Sequence, residues 1–114
     1  MSDIENRPEE GNEPRQPLPP PTFEFLVSSL RFQAEMHLGL MHFGPENERP
    51  KPELEMARHS IDMLAMIETK TKGNLDLQER RLIENSLTEL RFRYIQAYED
   101  SRKAAAATAE SQQA

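Results

Sequence analysis

The sequence predicts an all-α domain of three helices, a long first helix followed by a helical hairpin, completed by homo-oligomerisation and flanked by disordered tails. Three observations carry this expectation. Apolar side chains recur at three- and four-residue spacing over three stretches, and no stretch alternates as a strand would. Two of those stretches carry a second apolar face opposite the first, where a lone small domain needs only one. The foldable part, residues 22–98, has no cysteine, and a core of that size without a staple supplies only about 3–5 kcal/mol unless the chain oligomerises.

Residues 1–21, MSDIENRPEEGNEPRQPLPPP, hold six of the nine prolines, five acidic residues and almost nothing apolar. They read as a disordered tail, partly polyproline II. Thr22 is a competent N-cap, so the periodicity predicts the first helix over residues 22–43, ending at Gly44-Pro45. At about 100° per residue, Phe23, Leu26, Val27, Leu30, Ala34, Leu38 and Met41 share one side of it, and Phe25, Phe32, Met36 and Phe43 the other.

A charged, proline-rich loop leads to Pro52, which pre-sets the first turn of a second helix over residues 53–72, with Glu53 and Glu55 at the positive end of its dipole. Gly73 is its left-handed stop. This helix repeats the two-faced pattern, setting Leu54, Ala57, Ile61, Leu64 and Ala65 against Met56, Met63, Met66 and Ile67. Asp76 and Glu79 make an Asp variant of the capping box for a third helix over residues 76–98. The connection is so short that the two helices form an antiparallel hairpin. Ile83, Leu87, Leu90, Tyr94 and Ala97 line the inner face of the third helix, Tyr98 lies at its edge, and Phe92 and Ile95 are apolar outliers. Residues 99–114, EDSRKAAAATAESQQA, have no large apolar side chain and read as a flexible tail that frays helically without docking.

The net charge of −6 argues against a nucleic-acid footprint. Arg80, Arg81, Arg91 and Arg93 form a local basic group, but Glu79, Glu84 and Glu89 interleave with them as an ion-paired helix face would. No apolar run reaches the length of a membrane span and no signal-peptide pattern opens the chain. Together with the absence of cysteine, this suits a cytoplasmic protein.

Chemistry has few candidates. His37 and His42 stand about 140° apart on a regular helix, too far to chelate one ion. Glu55, His59 and Asp62, at separations of four and three, place carboxylates above and below an imidazole and are the weak candidates for a divalent metal. A solvated strip of charged residues is the plainer account of the same spacing. Ser28, Ser29, Ser60 and Ser86 lie within helices with no base placed beside them. TKTKGN lacks the spacing and preceding strand of a phosphate loop. No enzyme activity, cofactor or metal is therefore expected. The second apolar faces, Phe25, Phe32, Met36 and Phe43 with Met56, Met63, Met66 and Ile67, are the candidate interaction surface.

The segments TFEFLVSSLRFQAEMHLG and LEMARHSIDMLAMIETKTKGNLDLQERRLIENSLTELRFRYIQ resemble a bacterial family of small proteins known as domain of unknown function 1844. The recognisable pieces are His37-Leu38-Gly39 closing the first helix, the Ala57, Ile61, Asp62 and Leu64 pattern, and Lys70 to Leu75. The resemblance implies a bacterial, cytoplasmic, all-helical domain with variable tails, and no activity. It also implies positional roles for Gly39, as a close helix-crossing point, and for His37, as a donor to a backbone carbonyl beside it.

The sequence thus predicts a non-enzymatic, self-associating helical protein that acts by binding proteins, itself first and an unidentified partner second. A small metal- or ligand-binding protein using Glu55, His59 and Asp62 is the alternative, and an RNA-associated protein using the arginines of the third helix is a weaker one.

Overall fold

The computed structural model describes residues 17–113. Among them the chain forms three α-helices, α1 (Phe23–His37), α2 (Leu54–Lys70) and α3 (Leu77–Gln113), with a short 3-10 turn at Glu46–Glu48 between the first two. No strand occurs among the described residues. Each helix packs against both others. The shared core is Val27, Ala34 and Leu38 from α1 and its cap, Ala57, Ile61 and Leu64 from α2, and Ile83, Leu87 and Leu90 from α3. Residues 1–16 of the predicted disordered tail lie outside the described residues, and residues 17–22 are exposed and without regular structure.

Helix α1 begins where its cap predicts: Thr22 is extended, and its hydroxyl accepts the Phe25 N–H at 3.0 Å. It ends at His37 rather than near Phe43. The Gly39 N–H bonds to the Met36 carbonyl and the Leu40 N–H to the Glu35 carbonyl, both at 3.0 Å. With Gly39 at φ +79°, this is a Schellman cap. Apolar spacing that runs on through Met41 and Phe43 hides that stop, whereas His37-Leu38-Gly39 does close the helix. Gly39 is not a helix-crossing point. A Cβ there would lie 3.0 Å from the Pro50 carbonyl oxygen, so what approaches it is the returning loop. Small side chains within the helices, Ala34, Ala57, Ser60 and Ser86, are the ones sealed from solvent.

Helix α2 starts one residue later than predicted, with Glu53 as an N-cap that makes no side-chain capping bond, so Pro52 stands ahead of the first turn rather than in it. The Glu53 N–H instead bonds to the His37 carbonyl at 2.7 Å, which ties the start of α2 to the end of α1. At the other end, the Thr71 hydroxyl donates back to the Ile67 carbonyl at 2.7 Å. Gly73, at φ +88°, lies in a turn closed by Asn74 N–H to Thr71 carbonyl at 2.9 Å, with no atom within 4 Å of where a Cβ would point.

Helix α3 opens on a complete capping box. The Glu79 N–H bonds to Asp76 Oδ1 at 2.8 Å, and the Asp76 N–H bonds to Glu79 Oε1 at 2.9 Å. The predicted end at Tyr98 is overtaken: the helix continues to Gln113. No Gly or Pro interrupts it, and the run Ala104–Ala107 consists of the strongest helix former. At 37 residues and about 1.5 Å per residue, α3 is about 55 Å long, and residues 102–111 are exposed.

The two left-handed glycines differ in what they tolerate. Gly73→Ala is expected to cost about 1 kcal/mol, the conformational strain alone, and Gly39→Ala about 2 kcal/mol or more, because its Cβ also meets Pro50. Urea denaturation of both variants measures the difference; equal costs would mean that the loop at Pro50 yields without strain.

Candidate interaction surface

The outer side of α1 is apolar and uncharged. Phe25, Phe32 and Met36 are 47, 48 and 54% exposed, lying roughly opposite Val27 and Ala34, which are sealed in the core. Ser29 shares the stripe and turns its hydroxyl back to the Phe25 carbonyl at 2.8 Å, so it offers little polarity outward. Glu24, Arg31, Glu35 and His37, the acidic and basic residues of α1, lie off this stripe, and Arg31 pairs with Glu35 at 3.2 Å.

Beyond the cap the loop folds back and extends this face. His42 lies in this loop, beyond the end of α1, and donates from Nε2 to the Pro45 carbonyl at 2.8 Å. Phe32, Met36, Met41, Phe43 and Pro50, with Gly39 and His42, line a shallow groove of about 430 Å³. Phe43 stands at its rim, 95% exposed. Met41, expected on the inner face, joins the groove because the helix no longer carries it inward. Gly39, through its positive φ, is the sequence signal for that change.

On α2, Met56, Met63 and Met66 are 52, 37 and 44% exposed and none of them lines the groove. Ile67 is half-buried against the core, so it belongs to the packing rather than to the open strip. On α3, Phe92 and Ile95 are open to solvent, as is much of Tyr98. A second, larger cleft of about 690 Å³ runs between the loop from Leu38 to Pro52 and the far half of α3, where Arg93, Ala97, Asp100 and Ala104 face it. It was invisible in the sequence, since it needs α3 to continue past Tyr98.

The candidates for chemistry lie on open helix surface. Glu55, His59 and Asp62 are all exposed, and Asp62 lies 3.9 Å from Arg58. Among the described residues no three His, Cys, Asp or Glu side chains gather to hold a metal ion. Arg80, Arg81, Arg91 and Arg93 are exposed, and Arg93 pairs with Glu89 at 3.3 Å. His37 donates from Nδ1 to the Glu53 carboxylate at 2.9 Å, where a backbone carbonyl was expected. With the bond from Glu53 N–H to His37 carbonyl, two hydrogen bonds join the same pair of residues. Sequence reasoning also missed Arg31, which reaches the sealed Ser86 hydroxyl on α3 at 3.4 Å.

A family model described as Domain of unknown function (DUF1844) matches residues 20–96. The chain belongs to this family. No curated protein and no solved structure matches it. The DUF1844 match takes in α1 with its cap, the loop, α2 and the first 20 residues of α3, so the stripe, the groove and the methionine strip all lie inside it. The far end of α3, which forms one wall of the larger cleft, lies beyond it.

Arg31→Ala leaves the buried Ser86 hydroxyl without that partner and is expected to destabilise the fold by about 1–2 kcal/mol. A double-mutant cycle with Ser86→Ala, read by thermal unfolding, should then show a coupling of about 0.5 kcal/mol or more. Strict additivity would mean that Arg31 acts only through Glu35 and its own packing.

Proposed function

We propose that this DUF1844 protein is a non-enzymatic binding protein that self-associates, working by burial of the apolar surface its own fold leaves open. The observation that carries this reading is the uncharged stripe of Phe25, Phe32 and Met36, continued by Met41 and Phe43. A monomer in water rarely keeps a contiguous apolar patch larger than a few hundred Å², and covering such surface is worth about 25 cal/mol per Å². Bulky aromatic and methionine side chains also hold the positions where polar ones would be neutral for the fold, since none of the three on α1 is sealed in the core.

The site chemistry supports the same reading. The shared features of the surface are shape and apolarity, since its lining is Phe32, Met36, Met41, Phe43 and Pro50 with Gly39 and His42. Glu55, His59 and Asp62 lie exposed along α2, and among the described residues no three His, Cys, Asp or Glu side chains gather as a ligand set, so the metal-binding alternative has nothing further to build on.

Light scattering coupled to size-exclusion chromatography, over a dilution series of the full chain, should find a dimer or larger assembly. Phe32→Glu should shift it to monomer while the far-UV circular dichroism stays that of the parent, because Phe32 is half-exposed in the folded protomer. A parent chain that is monomeric at every concentration would sink self-association.

A further inference from the structure

We infer that the contact between copies is a two-fold one centred on the loop after α1, in which Phe43 of each copy enters the groove of the other. The inference rests on the self-association proposed above and names the surface, the symmetry and the residue that carry it.

A two-fold interface uses one patch twice, so the patch must hold both halves of its own contact. This one does. Phe43 projects almost wholly into solvent, 95% exposed, and beside it the side chains of Phe32, Met36 and Met41 with Pro50 line an open apolar groove. The knob and the socket are thus adjacent on one surface. A partner of another kind would need only one of them.

Charge points the same way. The chain carries −6, so two copies repel wherever their acidic surfaces meet. The groove is lined by no Asp, Glu, Lys or Arg, and the stripe of α1 that leads to it has none either. It is a face on which an identical copy meets no like charge. A basic partner would gain nothing from this face, since no carboxylate lines it.

The area suits a small interface. At about 150–250 Å² for a large side chain, the open fractions of Phe32, Met36, Met41 and Phe43 come to roughly 350–600 Å² per copy. Two copies then cover at most about 1,200 Å², the size of a small, readily dissociating contact. Phe43 supplies the largest share and sits at the centre of the contact, the position that hot-spot residues occupy.

The test uses the full chain. Phe43→Glu should raise the dimer dissociation constant about tenfold or more in the light-scattering dilution series, with an unchanged circular dichroism spectrum, since Phe43 makes no part of the core. Because the chain has no cysteine, Phe43→Cys and Met36→Cys each introduce a single thiol. Mixed and oxidised, the two variants should give cross-linked mixed dimer in excess over either variant alone, the second contact of the mixed pair keeping its own Phe43. If the parent assembles, Phe43→Glu changes nothing and Met63→Glu dissociates it, the loop-centred contact is wrong while self-association stands. If the parent never assembles, both are wrong.

Discussion

At Gly39 the backbone sits at φ +79°, and the N–H groups of Gly39 and Leu40 close the last turn of α1 on the carbonyls of Met36 and Glu35. The rest of the surface follows from this reversal. It drops Leu38 into the core at 3% exposure and frees the chain to return as a loop, so that Pro50 packs its carbonyl against Gly39 and Glu53 meets His37. A helix continued to Phe43 would have carried Met41 round to the inner face and left no loop over Met36. The apolar groove therefore exists because the helix stops, and a glycine both permits the φ and leaves room for Pro50.

The second constraint is the number of sides that each helix can cover. In an arrangement of three helices, each touches two neighbours, and the core takes only the stripe between them. Nine buried apolar residues satisfy that stripe. Phe25, Phe32 and Met36 point away from it on α1, the methionines flank it on α2, and Phe92 and Ile95 lie beyond it on α3. No rearrangement of three helices buries these as well as the present core, since turning α1 inward on Phe32 would turn Val27 and Ala34 out. What remains exposed is fixed by periodicity and connection length rather than by loose packing.

These causes also decide what the sequence could disclose. Caps are local, and so Thr22 and the Asp76–Glu79 box were legible from a few residues, as was most of the inner face of each helix from its spacing, although Leu26, expected inward on α1, is 45% exposed. The end of α1 was not, because apolar spacing persists past Gly39 and periodicity alone gives no weight to one left-handed residue. The end of α3 was missed for the opposite reason: the spacing stops at Tyr98 while alanine propensity continues. Contacts between distant positions, Arg31 with Ser86 and Gly39 with Pro50, depend on how helices and loop come together and leave no mark on local pattern. Of the candidate surface, the positions on α1 and the methionines of α2 were legible as a second face. Met41 entered it and Ile67 left it only when the true helix end and the true helix rotation were known.

The two open apolar surfaces differ in a way that bears on the proposed role. The face around α1 and the loop is largely aromatic, rigid in its rings and shaped by a fixed turn, and such surfaces suit one partner geometry. The strip on α2 is methionine, with three rotatable bonds and a polarisable sulfur at each position, and such surfaces repack against partners that vary. On the proposed reading, the first would hold two copies together and the second would stay available on the outside of the pair. Placing the invariant contact on the rigid face and leaving the adaptable one free lets a protein of this size build a stable assembly without surrendering its capacity to bind something else.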